Sequence, residues 1–417
     1  MDKFIINGGK KLSGKVEISG AKNAILPIMT ATLLAKGKSV LHNVPHLNDI
    51  KMMSHVLRVI GARVDYHDGI LEIDATHASY FEAPYELVNK MRASIYVLAP
   101  LLARFGQSKV SFPGGCAIGT RPVDLHLMAM EKLGAAIDIE HGYIIAKAEK
   151  LKGSEIHFPK TSVGATANTL MAAVLAKGET NIFGAASEPD ISSLVDFLNK
   201  MGARIQGKGT KHLKITGVKK LEPAEMIMMP DRIEAGTFLI AGAITKSNIT
   251  ISKCEPSHLD ALLEKLRAAG AEFEIHNNEI KIISSKHIKS VDMTTEPYPG
   301  YPTDLQAQFM ALMSLADGES VITETIFPDR FMHVAELNRL DADIKVDKNV
   351  ATVKGVKSLS GAQVMATDLR ASATLVLAGL AAQGQTEVSR IYHIDRGYDK
   401  IEEKLRKLGA DIKRVKG

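Results

Sequence analysis

Blocks of apolar and polar residues alternate along the chain, and the spacing of the apolar positions predicts two kinds of helix. Ser257 to Ala269 and Gly397 to Leu408 carry apolar residues at helical spacing and end beside a glycine, which is typical of amphipathic surface helices. Asn168 to Ala176, Thr237 to Ile244 and Ala373 to Ala382 are apolar or small on every side. Such all-round apolarity predicts helices that are buried on all faces.

The same order of elements recurs six times. Each amphipathic segment ends at a residue pair that returns roughly every 70 residues, which is the signature of a structural repeat. The six pairs are Gly61-Ala62, Gly134-Ala135, Gly202-Ala203, Gly270-Ala271, Asp341-Ala342 and Gly409-Ala410. Short alternating runs follow each pair, such as those on either side of His67-Asp68-Gly69, and they predict β-hairpins.

Six repeats with a buried helix each would make a very large single core, so two domains of three repeats are expected. The midpoint of the 417 residues falls near Leu221 to Pro230, where Pro223, Pro230 and several methionines interrupt the pattern. We expect the chain to cross from one domain to the other in this segment.

Composition narrows the classes of function. The chain is 45% hydrophobic and 24% charged, without an apolar run near the roughly 18 residues that span a membrane and without a signal peptide, so we expect a cytoplasmic protein. The net charge of +5 is scattered, aromatics are 5% and Trp is absent, which disfavours nucleic-acid binding. The spacing of His and Cys predicts no metal site.

Polar residues gather just before the buried helices. Helix N-termini offer free N–H groups and a partial positive charge, so they bind anions. Capping alone explains individual Ser, Thr and Asp residues, but Lys22, Arg92, Arg232 and Arg370 oppose the helix dipole unless an anion or acid compensates them. The set predicts a site for a multiply charged ligand. The six helix starts are 19–23, 89–94, 162–166, 230–232, 301–304 and 367–370.

An irregular loop over residues 112–122 contains three glycines, two prolines and Cys116. This composition predicts a mobile lid that closes on a substrate, and Arg121 could favour the thiolate of Cys116 or orient an anion. The other cysteine, Cys254, follows a strand-like run and is expected to be an inert core residue.

Seven motifs in this order resemble the enolpyruvyl transferases, and among them the enzymes that act on UDP-N-acetylglucosamine. The motifs are SGAKNA (19–24), PGGCAIGTRPVDLH (113–126), SVGATAN (162–168), YPGYPTDLQAQFM (298–310), RFMHVAEL (330–337), TDLRASA (367–373) and HIDRGY (393–398). Thr161, where family members often carry Val, is a small departure that bears on fine substrate contacts only.

The resemblance implies an α/β fold of two inside-out barrel domains with three βαβαββ repeats each and the active site between them. It places residues 21–229, with the lid, in one domain, and residues 1–20 and 230–417 in the other. The substrates it implies are phosphoenolpyruvate and UDP-N-acetylglucosamine, with no cofactor, no metal and no obligatory protein partner.

The resemblance also assigns roles to residues. Lys22, Asn23, Arg121 and Arg396 would bind phosphoenolpyruvate, while Arg330, Asp368 and Arg370 would serve domain closure or charge balance, to which Arg92 could also contribute. Cys116 would protonate the enol methylene and could form a covalent adduct, and Asp304 would deprotonate the sugar 3-hydroxyl. The residues expected to contact the UDP-sugar are Asn23, Arg92, Arg121, Pro122, Val123, Asp124, Leu125, Lys160, Thr161, Ser162, Val163, Asp304 and Ile326.

Three alternatives remain open on the sequence. The nearest is the sister enzyme that acts on shikimate 3-phosphate, which lacks the Cys lid. A non-catalytic sugar-nucleotide sensor is the second, and the combination of Lys22, Cys116, Asp304 and Arg396 argues against it. A purely structural repeat protein is least favoured, because cations at helix starts would then lack a cause. Since the loop residue is Cys116, the resemblance also predicts alkylation by the epoxide fosfomycin.

Overall fold

The chain forms two compact units in a computed structural model that describes residues 2–88, 91–112 and 123–417. The C-terminal unit comprises residues 2–19 and 230–417, and the N-terminal unit comprises the described residues from 20 to 229. The chain therefore passes between the units at Ser19–Gly20 and again at Met229–Pro230.

Short strands and helices alternate through both units. The strands are β1 Lys3–Asn7, β2 Ser13–Glu17, β3 Lys38–His42, β4 Arg63–His67, β5 Ile70–Asp74, β6 Glu82–Ala83, β7 Gln107–Ser111, β8 Ala136–Glu140, β9 Tyr143–Lys147, β10 Glu155–His157, β11 Glu179–Phe183, β12 Arg204–Gln206, β13 His212–Thr216, β14 Glu225–Ile227, β15 Asn248–Ser252, β16 Glu272–His276, β17 Glu279–Ile283, β18 Met293–Thr294, β19 Glu319–Thr323, β20 Asp343–Asp347, β21 Val350–Lys354, β22 Gln363–Met365, β23 Gln385–Ser389 and β24 Asp411–Val415.

The α-helices are α1 Lys22–Ala31, α2 Asn48–Ile60, α3 Tyr85–Val88, α4 Leu98–Phe105, α5 Asp124–Lys132, α6 Val163–Ala173, α7 Pro189–Lys200, α8 Arg232–Ile244, α9 Asp260–Ala268, α10 Gln306–Met313, α11 Val334–Asn338, α12 Leu369–Ala381 and α13 Ile401–Lys407. Short 3-10 turns are Thr32–Leu34, Arg92–Val97, Pro256–His258, Thr303–Leu305 and Ile391–Arg396. Among the described residues, none of the helices has the length and apolar character needed to span a membrane.

Within the described residues the strands form six four-stranded sheets of one topology. In the sheet β10-β11-β13-β12, for example, β10 runs parallel to β11, and the two remaining pairs are antiparallel. The N-terminal unit also contains β14-β3-β5-β4 and β6-β7-β9-β8, and the C-terminal unit contains β16-β17-β15-β2, β18-β19-β21-β20 and β22-β23-β1-β24. The predicted sixfold βαβαββ repeat is confirmed.

Some sheets are completed by strands that are distant in sequence. β1 lies between β23 and β24, with Phe4 opposite both Val388 and Arg414, and β2 runs parallel to β15. β14 runs parallel to β3, with Met226 opposite Leu41. The proline-containing segment 221–230, expected as a simple crossover, therefore contains a strand of the N-terminal unit.

The helices that are apolar on all sides lie inside each unit, and the sheets surround them. In the C-terminal unit α8, α10 and α12 pack against one another, and every residue of α10 is buried. In the N-terminal unit α1 and α4 both pack against α6. Each unit has its own apolar core, to which the inner face of every sheet contributes. This arrangement confirms the predicted inside-out architecture.

The predicted segments match these elements apart from their ends. The buried segments form parts of α6, α8 and α12, although α6 ends at Ala173 and α12 at Ala381. The amphipathic segments are shorter than predicted, because Pro256–His258 forms a separate 3-10 turn before α9 and Lys400 has a left-handed conformation (φ 46°) before α13. The predicted hairpin is formed by β4 and β5, with Asp68 and Gly69 at positive φ in its turn.

The repeated pair marks the end of a helix in each repeat. Gly202, after α7, has φ +102°, and the N–H of Ala203 donates to the carbonyl of Leu198 at 3.0 Å, as in a Schellman cap. After α11, Asp341 has φ 65° and Ala342 N donates to Leu337 O at 3.2 Å. Aspartate thus occupies the conformation that glycine adopts in the other repeats, where a Cβ is unfavourable.

Gly202→Ala should lower the free energy of unfolding by about 1 kcal/mol, because a Cβ disfavours the left-handed conformation. A Cβ at this glycine meets no atom within 4 Å, so the change tests the backbone alone. Asp341→Gly should change stability in the opposite direction by a smaller amount, since glycine also loses more entropy on folding. Chemical denaturation measures the free energy of unfolding of both variants. Equal changes of the same sign would contradict the interpretation that these positions require a left-handed backbone.

A second feature of the repeat is a hydroxyl at the second residue of the strand that follows the buried helix, as in β19 and β23. Thr386 on β23 is fully buried, and within the described part of the chain its Oγ1 has no hydrogen-bond partner. Ser320 occupies the matching position on β19, and its Oγ accepts from Val291 N at 3.0 Å. One hydroxyl therefore supports the fold, while the other is buried without a bond.

We expect Thr386→Val to raise the free energy of unfolding by about 1 kcal/mol, because it replaces a buried, unbonded hydroxyl with a methyl group of the same shape. Ser320→Ala is the matched opposite and should destabilise by a similar amount, because it leaves the Val291 N–H without an acceptor. Thermal unfolding checks both: relative to the parent protein, the melting temperature should rise in Thr386→Val and fall in Ser320→Ala.

Candidate active site

Asp304 lies in the 3-10 turn that leads into α10, and two arginines hold its carboxylate. Arg330 Nη2 donates to Oδ1 at 2.9 Å and Arg370 Nη2 donates to Oδ2 at 2.7 Å. The two arginine side chains are 5% and 4% exposed, whereas that of Asp304 is 25% exposed. The carboxylate is thus fixed from within the C-terminal unit and still accessible from outside.

Arg370 is itself oriented by a buried polar cluster. Its Nη1 donates to the Tyr398 hydroxyl at 3.2 Å, and that hydroxyl is 2.9 Å from Thr237 Oγ1 and accepts from Gln308 Nε2 at 3.3 Å. Burial is the largest influence and acts to lower the pKa of Arg370, but Asp304, Tyr398 and Asp231 together outweigh it, so the pKa is raised. Arg370 is therefore a permanent cation in a fixed position.

Asp368 closes the start of α12 and lies close to a buried histidine. Its Oδ1 accepts from the backbone N–H groups of Arg370 and Ala371 at 2.8 and 3.1 Å, as an N-cap does. Burial lowers the pKa of His333 to about 4; Arg330 acts in the same direction and Asp368 opposes it. His333 is thus neutral near pH 7.

Arg396 ends the 3-10 turn Ile391–Arg396 and is half-buried. The residue before it, Asp395, is bound by both terminal nitrogens of Arg414 on β24, at 3.0 and 2.5 Å. Arg414 Nε also donates to Glu402 on α13 at 2.8 Å. Hydrogen bonding to Asp395 is the main cause that raises the pKa of Arg414. The last strand therefore anchors the turn that carries Arg396.

Ile326 follows β19 and is half-buried. Its backbone N–H donates to Glu324 Oε1 at 2.8 Å, so a ligand would meet its carbonyl or its side chain instead. Glu324 is wholly buried and was not among the residues expected from the sequence.

In the N-terminal unit, Lys22 and Asn23 are the first residues of α1. Lys22 is 8% exposed, and its Nζ lies 3.5 Å from Oδ2 of Asp49, which is in the first turn of α2 and is 5% exposed. A carboxylate of the protein therefore compensates part of the positive charge at this helix start.

Arg92, Asp124 and the start of α6 come together around His126. Arg92 begins the 3-10 turn before α4, and His126 on α5 accepts at Nδ1 from Asn168 Nδ2 at 2.8 Å. Burial lowers the pKa of His126 to about 4, Arg92 acts in the same direction, and Asp124 opposes it. A Cβ on Gly164 would lie 3.0 Å from the imidazole, so a larger residue here would press on the ring. With this lowered pKa, His126 is neutral near pH 7.

The remaining predicted contacts of this unit lie at the starts of α5 and α6. Val123 and Leu125 are buried and Asp124 is exposed. Ser162 caps α6, its Oγ accepting from Ala165 N at 3.2 Å, which leaves the hydroxyl proton available. Lys160 is exposed, while Thr161, Ser162 and Val163 are half-buried.

Three predicted site residues, Cys116, Arg121 and Pro122, lie outside the described residues, as does most of the loop 112–122. Cys254 is 1% exposed, and burial raises the pKa of its thiol to about 11, which confirms the prediction of an inert core residue. No group of three or more His, Cys, Asp or Glu side chains is placed to hold a metal ion in the part of the chain that the structure describes.

The structure changes the interpretation of the cations at helix starts. Lys22 faces Asp49 and Arg370 faces Asp304, so protein carboxylates provide part of the compensation that the sequence argument assigned to a ligand. Sequence analysis missed Asp49 because it lies on another helix. It also missed Tyr398, although that residue ends the HIDRGY motif.

Comparison with known proteins establishes the family. The family model described as EPSP synthase (3-phosphoshikimate 1-carboxyvinyltransferase) matches residues 6–405. The chain belongs to the enolpyruvyl transferase family. Relatives named UDP-N-acetylglucosamine 1-carboxyvinyltransferase include one from Geobacter metallireducens, 58% identical with all of both chains covered, and one from Chloroherpeton thalassium, 56% identical with 99% of this chain and 97% of the relative covered.

Solved structures of enolpyruvyl transferases share the fold. NikO from Streptomyces tendae has a TM-score of 0.88 at 26% identity, covering 100% of this chain and 99% of that one. An EPSP synthase from Acinetobacter baumannii has a TM-score of 0.75 at 18% identity over the full length of both, a likeness in fold alone.

The buried histidine of the N-terminal unit should make stability depend on pH. The pKa of His126 is about 4 in the folded protein, against 6.5 for an ordinary histidine, so the contribution of the neutral imidazole to stability is complete above pH 6.5 and is lost as the pH falls to about 4. This difference corresponds to about 3 kcal/mol. In His126→Asn, an amide oxygen can still accept from Asn168, and the melting temperature should fall less steeply over this range.

The control is His276→Asn, which replaces an exposed histidine on β16 and should leave the pH dependence as it is in the parent protein. Identical slopes for His126→Asn and the parent protein between pH 6.5 and 4 would show that His126 is not the titrating group.

Proposed function

We propose that the protein transfers the enolpyruvyl group of phosphoenolpyruvate to the 3-hydroxyl of UDP-N-acetylglucosamine and releases phosphate. The observation that carries this proposal is the 58% identity, over the full length of both chains, to a relative named UDP-N-acetylglucosamine 1-carboxyvinyltransferase. The reaction is the first committed step of peptidoglycan synthesis. It needs no cofactor, and we expect it to occur in the cytoplasm without an obligatory protein partner.

The donor is a small molecule with several negative charges, and we assign its phosphate and carboxylate to Lys22, Arg121 and Arg396, with Asn23 beside them. Cations suit this ligand because charge-assisted hydrogen bonds to phosphate and carboxylate are strong and directional. The anchoring of Asp395 by Arg414 supports the role of Arg396, since a guanidinium on a fixed turn is already in place for its ligand.

The chemistry requires one acid and one base. Cys116 gives a proton to the methylene carbon of the enol, which leaves the adjacent carbon electrophilic, and Asp304 takes the proton of the sugar 3-hydroxyl as its oxygen attacks that carbon. The resulting tetrahedral ketal then expels phosphate as a proton is removed from the newly formed methyl group, which restores the double bond. The accessible, doubly held carboxylate of Asp304 supports its role as base.

We assign the UDP-sugar to Asn23, Arg92, 121–125, 160–163, Asp304 and Ile326. Ser162 retains a hydroxyl proton to donate, since its oxygen accepts the capping bond. Arg330 and Arg370 act through Asp304, the carboxylate that both of them bind, and Asp368 acts by capping the helix that begins beside Arg370.

Shikimate 3-phosphate is a second candidate acceptor substrate, because the matching family model is named for the enzyme that acts on it. Identity to a solved EPSP synthase is only 18%, however, against 58% for the UDP-N-acetylglucosamine relative. We therefore favour UDP-N-acetylglucosamine, and the two acceptors can be compared directly in one assay.

The decisive measurement is phosphate release from phosphoenolpyruvate with each acceptor in turn. We expect release with UDP-N-acetylglucosamine and not with shikimate 3-phosphate. Cys116→Ala should lower turnover about 100-fold or more, the scale of a lost general acid. Fosfomycin should inactivate the parent protein by alkylating the Cys116 thiol.

Cys254→Ala is the matched control, because this second cysteine is buried with a raised pKa and should affect neither turnover nor inactivation by fosfomycin. Full turnover in Cys116→Ala would reject the assigned acid. Ligand binding without any phosphate release in the parent protein would instead identify a non-catalytic sensor.

A further inference from the structure

A wholly buried carboxylate lies next to the candidate base, and none of the roles assigned above uses it. Glu324 directly follows β19 and has no exposed surface. Its Oε1 accepts from Thr295 Oγ1 at 2.8 Å and from the backbone N–H groups of Ile326 and Phe327 at 2.8 and 3.0 Å. Its Oε2 accepts from Thr303 Oγ1 at 2.8 Å. A carboxylate with four donors is held in a single orientation.

Thr303 connects Glu324 to an arginine that holds the base. The single hydroxyl proton of Thr303 is donated to Glu324, so its oxygen can only accept from its other neighbour. That neighbour is Arg330, whose Nη1 donates to Thr303 Oγ1 at 2.9 Å while its Nη2 donates to Asp304 Oδ1 at 2.9 Å. The direction of each bond from Glu324 to Asp304 is therefore fixed.

The charges in this cluster balance. Asp304 binds the guanidinium groups of both Arg330 and Arg370, and Glu324 is connected to Arg330 through the Thr303 hydroxyl. Three of these four charged side chains are at most 5% exposed. Groups so deeply buried are stable only when each is paired and hydrogen-bonded. Removal of the charge on Glu324 would leave Asp304 as the single carboxylate of this cluster beside two cations. It would also weaken the bond that orients the Thr303 hydroxyl, which accepts from Arg330.

The same carboxylate also fixes a second segment of the proposed acceptor site. By accepting from Ile326 N and Phe327 N, Glu324 shapes the turn after β19, while through Thr303 it reaches the residue beside Asp304. Two segments assigned to the sugar, one with Ile326 and one with Asp304, thus meet at one buried group.

We propose that Glu324 is a positioning residue for enolpyruvyl transfer, which orients the base Asp304 through Thr303 and Arg330 and fixes the acceptor segment at Ile326. This inference rests on the proposed function, because it assigns Asp304 the role of base. Glu324 itself touches no reacting atom. Its replacement should therefore change kcat and the KM for the acceptor substrate, and not the KM for phosphoenolpyruvate.

The test compares Thr303→Val, Thr303→Ser and Glu324→Gln in the phosphate-release assay. Loss of a group that orients a functional side chain typically lowers activity 10- to 100-fold. We expect kcat to fall about 10- to 100-fold in Thr303→Val and Glu324→Gln, with a raised KM for UDP-N-acetylglucosamine and an unchanged KM for phosphoenolpyruvate. Thr303→Ser keeps the hydroxyl and should stay within about threefold of the parent protein.

Thr386→Val is the matched control, because it makes the same substitution at another buried hydroxyl of the same unit. Thr386 is far along the chain from the relay, by which we mean the connection from Glu324 through Thr303 and Arg330 to Asp304. This variant should leave kcat and the KM for each substrate unchanged. If Glu324→Gln fails to fold, the pair Thr303→Val and Thr303→Ser decides the question, because Thr303 is only partly buried. Parental kcat in Thr303→Val, or an equal loss in Thr303→Ser, would overturn the proposal.

The parent protein separates this inference from the proposed function. Should it release phosphate with shikimate 3-phosphate instead, the assigned acceptor is wrong, and the same variants measured with that acceptor still test the relay. Release with neither acceptor would reject both the function and the role of Glu324.

Discussion

A helix that is buried on all sides cannot leave its first N–H groups, or a charge beside them, to water. Every helix of this kind in the protein must therefore satisfy its start within the fold. Ser162, Asp231 and Asp368 do so by capping α6, α8 and α12 with a side-chain oxygen. Lys22 and Arg370 do so through carboxylates on neighbouring elements. Polar and charged groups thus gather at helix starts because the architecture requires them there. The same groups are then available to bind a ligand or to take part in catalysis.

The C-terminal unit shows how this requirement becomes a candidate site. Asp304 pairs with two arginines that are almost completely buried, and one of these is connected through Tyr398 to the polar groups between α8 and α10. The hydrogen bonds of this network hold Arg370 in one orientation, although Gln308 Oε1 has no hydrogen-bond partner within the described residues. Asp304 is the member of this network with accessible surface, so a rigid interior presents one reactive oxygen pair to a substrate.

Periodicity made much of the fold predictable from sequence. The all-round apolar segments became α6, α8 and α12. The Gly-Ala pairs became the caps of other helices, such as α7, because their glycine adopts the left-handed conformation that ends a helix. β14 was missed because three residues between prolines show no alternation. The partners of the site cations were also missed: Asp49 for Lys22, and Asp304 for Arg330 and Arg370, are pairings that only tertiary structure creates. Local patterns therefore predicted the helix starts, and long-range packing determined which charges met there.

The position of β1 between β23 and β24 has a consequence for synthesis on the ribosome. Domains generally fold as units, the N-terminal one first, while the chain is still growing. Here the N-terminal unit is formed by described residues that all lie between residues 20 and 229, so it can fold as soon as this part of the chain emerges. β1 must wait, because the strands on either side of it are among the last to be made. The earliest part of the polypeptide is thus among the latest to become ordered.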